Sequence, residues 1–273
     1  PIHLKSLTIE NETFTKCTKL SNFTISSSVT SLKICPKAFF ECYSLTDFNI
    51  SDSITSLVIS NNSFFNCELL STFKVPNNIT SLFIDNYAFA LCHNLSNFSI
   101  SNNVISLTIG NYAFAECSKL SNFYIPDTVT HLTIGNHAFQ KCLSLHTFYV
   151  SNSLTYLTIE EGTFYLCNAL SKFNIPNNIT KLSIGNSAFS HCSELTDFNI
   201  PNNLTNLFIN NFAFCECPKL ANFNISNNSK LETLTILRYA FSQCPSLNRF
   251  FIPVYVKNKN IDSKAFDMNT NIV

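Results

Sequence analysis

Apolar residues return along this chain at a fixed interval of 25, and single columns show it. Cysteines stand at Cys17, Cys42, Cys67, Cys92, Cys117, Cys142, Cys167, Cys192 and Cys217, each preceded by a phenylalanine three residues earlier, from Phe14 to Phe214. Leu145, Leu170 and Leu195 keep the step, as do Phe148, Phe173 and Phe198, and Ile134, Ile159 and Ile184. Self-similarity of this kind marks a solenoid, whose units are too small to bury an apolar face alone and must stack to make one core.

Within the unit 118–142 the apolar spacing changes character. Phe123 and Ile125 alternate with Asn122 and Tyr124, and period two over β-formers predicts a strand with one buried face. Pro126-Asp127-Thr128 turns the chain. Val129, Leu132 and Ile134 then alternate with His131 and Thr133, predicting a second short strand. Gly135-Asn136 breaks it, since both residue types take positive φ cheaply. Ala138, Phe139 and Cys142, three or four apart, predict one helical turn with an apolar inner face. The fold expected is a β-rich solenoid of about ten stacked 25-residue repeats, each with two short parallel strands and a helical turn.

The register runs strictly from Leu20 to Cys217. After Ile225 the corner 227–232 takes in two extra residues, and Phe241 and Cys244 show the pattern recovered. Corners tolerate insertion because they lie outside the stacked core. Val256, Ile261, Ala265 and Phe266 stay in phase, while Lys259 takes a leucine position and Asn269 a cysteine position. Polar residues in core slots predict a degenerate capping repeat over about 245–273. Pro1 is in the phase of Pro126, and Leu4, Leu7, Ile9, Phe14 and Cys17 form the second half of a repeat. This predicts one solenoid domain over 1–273 whose natural N-terminus lies further upstream.

Composition narrows the function. Hydrophobic residues at 45% against 12% charged supply a core and argue against disorder. Seventeen basic and seventeen acidic residues cancel without a basic run, which argues against nucleic acid and anionic membrane as partners. No apolar run approaches the about 18 residues of a membrane span. Four glycines leave no phosphate-binding loop. The histidines His3, His93, His131, His137, His146 and His191 are scattered over the repeat with no recurring carboxylate beside them. No catalytic residue, cofactor site or metal site is expected.

The cysteine column admits three readings. Metal ligation needs closely spaced ligands, and only Cys215 and Cys217 lie close, with alternation pointing them apart. Disulfides along the column are conceivable from the distance between successive repeats. Yet stacked side chains point the same way, and an odd set cannot pair fully. Small buried thiols filling a slot at the end of the turn is the reading adopted. Cys35 and Cys215 are off phase and are expected to be the more exposed. Eleven Asn-x-Ser/Thr triplets occur, Asn78, Asn178 and Asn203 heading three on one corner. Roughly eight would arise by chance in so Asn-, Ser- and Thr-rich a chain, so the count does not establish a secretory route.

The run L-x-x-F-x-I-P followed by V-T-x-L-x-I-G-N-x-A-F-x-x-C resembles the BspA-like (treponemal-type) leucine-rich repeat. Ten Ala/Ser/Thr-Phe-x-x-Cys copies carry the resemblance over essentially the whole chain. The 25-residue repeat is slightly longer than that type's, and phenylalanine stands at the third core position. The resemblance implies a leucine-rich-repeat solenoid of the α/β horseshoe type and a binding role without catalysis. Members are surface or secreted proteins, several of them adhesive. Cell-surface or extracellular localisation is therefore expected, with a host, matrix or other surface protein, or a glycan, as partner. The alternative is an intracellular scaffold or structural spacer, which unpaired cysteines favour.

By analogy with leucine-rich repeats the sheet of first strands is expected to be concave and to form the binding surface. Its outward columns are mostly small and polar. Tyr124 and Tyr149 depart from this, one repeat apart, with Asn122 and Thr147 beside them and Lys172 one repeat on. These five are the candidate partner-binding residues, since tyrosine offers large contact area with few rotors to freeze. The competing reading is a cross-strand aromatic pair that only stabilises the sheet. A rival patch on the second sheet comprises Val58, Phe83 and Phe208.

Overall fold

A computed structural model describes residues 4–225 and 230–273. The corner insertion 227–232 therefore lies partly outside the described residues, as do Pro1 and His3. Most repeats form a rung of one three-residue and one four-residue strand, as in Asn122–Tyr124 and His131–Ile134, and at the C-terminal end Arg249–Phe250 and Asn271–Ile272 shorten to two residues. Among the described residues the inter-rung pairings are parallel, and most keep the 25-residue step, for example Leu107 with Leu132 and Phe123 with Phe148, while in the last rung Arg249 pairs with Asn271. Across the insertion the step lengthens, and Asn206 pairs with Thr233.

The four-residue strands make two sheets, one from Ser6–Ile9 to His131–Ile134 and one from Tyr156–Ile159 to Asn258–Ile261. The three-residue strands form a continuous sheet only from Asn122–Tyr124 to Asn222–Asn224. Before it, Asn22–Thr24 pairs with Asp47–Asn49, and Thr72–Lys74 with Asn97–Ser99.

One core cluster runs along the stack. Its centre is a herringbone of two phenylalanine columns. Phe139 stacks between Phe114 and Phe164, with centroids 5.3 and 5.7 Å away. It meets Phe123 and Phe148 edge-on, at 4.8 and 5.0 Å. Both offset stacking and edge contact suit the ring quadrupole, so each ring satisfies four neighbours at once.

The predicted helical turn is not a helix, and no helix occurs among the described residues. The N–H groups of His137, Phe139 and Lys141 donate forward to the carbonyls of Glu161, Thr163 and Tyr165 on the next rung, at 2.8, 2.9 and 2.8 Å. Those of Ala138, Gln140 and Cys142 donate three residues back, at 3.3, 3.1 and 3.2 Å. An α-helix would send every N–H four residues back and leave none for a neighbour. His137 and Lys141 take left-handed φ values of 56° to make the alternation possible. Each such residue costs about 1–2 kcal/mol, offset by the inter-rung bonds and by burial of the phenylalanine between them.

The in-phase cysteines from Cys42 onward are buried, and all twelve cysteines are unpaired. Contrary to expectation, Cys35 and Cys215 are buried as well, at 4% and 8% exposure. Cys35 occupies the slot of Ser60, where the chain leaves the four-residue strand and packs against the preceding rung. Cys215 occupies the slot of Ala90, Ala115 and Ser190 between the two left-handed residues, and the neighbouring rungs cover it. The partly exposed thiol is Cys17.

At the far end Val256 and Ala265 are buried and Phe266 continues the phenylalanine column. The Asp267 carboxylate accepts the N–H groups of Gln243 and Cys244, both at 2.9 Å. A side chain thus receives a backbone donor that elsewhere meets the carbonyl of a further rung.

Candidate functional site

The five candidate residues fall on three consecutive strands, Asn122–Tyr124, Thr147–Tyr149 and Lys172–Asn174. Their outward positions follow from the alternation that buries Phe123, Phe148 and Phe173. Register places Asn122, Thr147 and Lys172 in one row and Tyr124 and Tyr149 in the next. All five therefore belong to one patch. The Thr147 hydroxyl donates to Asn122 Oδ1. Lys172 is in register with Asp197, whose carboxyl is held low by hydrogen bonds from Thr196 and Asn222 and then by the Lys172 charge.

Tyr124 and Tyr149 stack at 4.7 Å between centroids with 15° between planes, and Tyr124 remains 49% exposed. The Tyr149 hydroxyl donates to Asp127, at 3.3 and 3.4 Å from its two oxygens, and accepts from Asn152 Nδ2 at 2.5 Å. Desolvation, followed by the Asp127 charge, raises the Tyr149 phenol above its ordinary value. Asp127 also accepts the Asn152 N–H at 2.7 Å. One carboxylate thus fixes both the corner and the ring.

Asp127 and Asn152 were not singled out from the sequence, although a signal exists. Asp127 and Asp52 are aspartates at a corner position that holds asparagine at 77, 102, 152, 177 and 202. Asp52 likewise accepts the Asn77 N–H at 3.0 Å and pairs with Lys74 at 3.2 Å. An aspartate there, followed 22 residues later by a lysine or tyrosine, marks an anchored side chain.

The rival patch holds together only in part. Val58 and Phe83 are cross-strand neighbours, while Phe208 lies in the other four-residue-strand sheet. A further aromatic column escaped the sequence reading. Tyr87 stacks on Tyr112 at 4.8 Å, and Tyr112 on His137 at 4.7 Å, all three at left-handed turn positions. Among the described residues no three His, Cys, Asp or Glu side chains converge as metal ligands, and no helix is long and apolar enough to cross a membrane.

The family model described as BspA type leucine-rich repeat region matches residues 7–133, 83–207 and 182–273. No curated protein sequence matches the chain. Among solved structures, the pneumococcal vaccine antigen PcpA aligns at 21% identity with a TM-score of 0.54, over 88% of this chain and 58% of its own. A leucine-rich repeat protein from Bacteroides ovatus aligns at 19% identity and TM-score 0.43, over 99% of this chain and 91% of its own. A leucine rich cell surface protein from Faecalibacterium prausnitzii aligns at 22% identity and TM-score 0.44, over 95% and 79%. At such identities the likeness to PcpA shows the fold alone.

Proposed function

Because the chain belongs to the BspA-type leucine-rich repeat family, we propose that it is a non-catalytic scaffold whose sheet of three-residue strands docks a protein partner at a cell surface or outside the cell. The whole chain serves as one solenoid, with its last, degenerate rung as the cap. The observation that carries the docking site is the stacked pair Tyr124–Tyr149, the first exposed and the second partly so, on a face whose outward positions are otherwise mostly small and polar. A merely structural cross-strand pair needs no anchor beyond the strands. Here Asp127 and Asn152 hold the Tyr149 hydroxyl as well, which lowers the entropy lost when a partner closes over the ring.

The test is the double substitution Tyr124→Ser with Tyr149→Ser, assayed for adhesion to cells and matrix beside a thermal melt. Adhesion should fall strongly with the melt little changed. Unchanged adhesion by a normally folded protein would remove the patch. A second reading, an intracellular scaffold, draws on the twelve unpaired thiols, which suit a reducing compartment. Surface biotinylation of intact cells separates the two: a chain that labels only after lysis belongs to the second.

A further inference from the structure

Beside the tyrosine pair the sheet opens. Lys172–Asn174 pairs with Thr147–Tyr149 at all three positions, but meets Asp197–Asn199 only through Lys172 and Asp197. Pairing resumes in full between Asp197–Asn199 and Asn222–Asn224. A groove of about 370 Å³ occupies the opening, walled by Tyr149, Asn152, Asn174, Asn177 and Asn199 with Phe173 beneath. Its size is near the lower end of small-ligand sites, about 300–1,000 Å³.

The lining has a consistent chemistry. Apart from the Tyr149 phenol, no residue lining the groove titrates. Asn174, Asn177 and Asn199 are exposed, and within the described residues their carboxamides have no hydrogen-bond partner. Tyr124 covers one face of the Tyr149 ring. The in-register neighbour on the other side is Asn174, which brings no ring against it. With its hydroxyl tied to Asp127 and Asn152, the ring is a fixed wall offering one free face.

The geometry points to a neutral saccharide as the ligand of this groove. A pyranose ring has a face of polarised C–H groups, which packs on the electron-rich face of an aromatic ring. Its rim carries neighbouring hydroxyls, each both donor and acceptor. A carboxamide matches such a pair, with one oxygen to accept and two N–H groups to donate, and three free carboxamides surround the ring here. No cation lines the groove to select a uronate, a sialic acid or a phosphate, and no carboxylate lines it to select a basic peptide. This site shares Tyr149 with the proposed docking patch but stands without it. Tyr124, Thr147 and Lys172 do not line the groove.

The experiment titrates the full chain with the methyl glycosides of glucose, galactose, mannose and N-acetylglucosamine, with glucuronate and N-acetylneuraminate as charged probes. Binding is read by saturation-transfer NMR. At least one neutral glycoside should receive saturation at its ring C–H protons at millimolar concentration, and the charged probes should not. Asn174→Ala with Asn199→Ala should weaken that binding by about tenfold, the loss of one or two neutral hydrogen bonds, without moving the melt. Tyr149→Phe, which keeps the ring, should retain binding that Tyr149→Ser loses. Lys172→Ala should leave it unchanged. Silence from all four neutral probes, preference for a charged one, or indifference to the asparagine pair would each overturn the assignment. A loss on Lys172→Ala equal to that of the asparagine pair would do so too, by moving the binding onto the docking patch.

Discussion

The thiol of Cys142 donates to the carbonyl oxygen of Phe114, 28 residues earlier, at 3.2 Å. The same oxygen already accepts the Cys117 N–H at 3.2 Å, so both lone pairs of a buried carbonyl are used. The relation repeats from Cys42 on Phe14 to Cys244 on Phe214. A cysteine suits this slot because it is small enough to stack and still carries a donor. Cys17 is the partly exposed cysteine. A thiol reagent applied to the native protein at neutral pH should therefore modify Cys17 first and reach the column only on unfolding. Peptide mapping after brief labelling checks the order, and early modification of Cys142 would contradict the burial described.

Burial also predicts lability in alkali. Desolvation pushes the thiols of Cys92, Cys167 and Cys244 up to about 12 and that of Cys42 to about 11, whereas an unfolded thiol titrates near about 8.5. Above that pH the unfolded chain sheds protons the folded chain keeps, which favours unfolding. The stabilising contribution is thus complete below about pH 8.5 and is lost as pH rises toward the folded values. Each such thiol adds a slope of up to about 1.4 kcal/mol per pH unit. Urea midpoints should be level near neutrality and fall steeply past about pH 9. The fall should be shallower in Cys92→Ala with Cys167→Ala, and equal slopes in the two proteins would exclude the thiols as its cause.

Phe139 has no exposed surface and touches four rings on three rungs. Phe139→Ala should cost about 3–5 kcal/mol through lost burial and the cavity left behind. Phe14, packed against the core only in part, should cost clearly less on the same change. Denaturant melts of the two variants give the comparison, and a cost for Phe139→Ala below about 1 kcal/mol is incompatible with the herringbone.

The columns were legible because a stacked repeat makes every core slot recur, so Phe139 and Cys142 could be placed by counting. The helical turn was misread because Ala138, Phe139 and Cys142 keep a spacing that a helix and a staircase of turns share. What separates them is the left-handed backbone at His137 and Lys141, which ordinary side chains there do not announce. Cys35 and Cys215 were misjudged for a related reason: phase tells which slot a residue occupies, not whether the next rung covers it. In the candidate site, the adjacency of Tyr124 and Tyr149 follows from their phase alone. The parting of Asn174 from Asn199 does not, because both strands carry the same Lys/Asp-Phe-Asn pattern on either side of it.

Ser63 is fully buried and its hydroxyl oxygen has no partner. Alanine fills the same slot at 38, 88, 113, 138, 188 and 213. Ser63→Ala should therefore stabilise the protein by about 1 kcal/mol, by removing the desolvation cost of an unsatisfied hydroxyl. Thr163, in that column too, donates to the Glu160 carbonyl at 2.9 Å, so Thr163→Ala should destabilise. Opposite signs in paired thermal melts are the expected outcome, and a loss of stability in both would show that Ser63 is bonded.

Gly162 sits in the left-handed region at φ +58°, yet φ alone does not require glycine there, since Ser187, Phe212 and Tyr239 hold the same position at 52°, 58° and 59°. The requirement comes from His137. A Cβ on residue 162 would lie 2.2 Å from His137 Nδ1, on a ring that stacks against Tyr112 at 4.7 Å. Gly162→Ala must therefore displace the ring as well as strain the backbone, and should cost about 2–3 kcal/mol. In a His137→Ala background only the backbone term remains, about 1 kcal/mol. The double-mutant cycle should then show a coupling of about 1 kcal/mol or more between residues one rung apart. Additivity within about 0.5 kcal/mol would mean that the ring yields freely and that the glycine answers to the backbone alone.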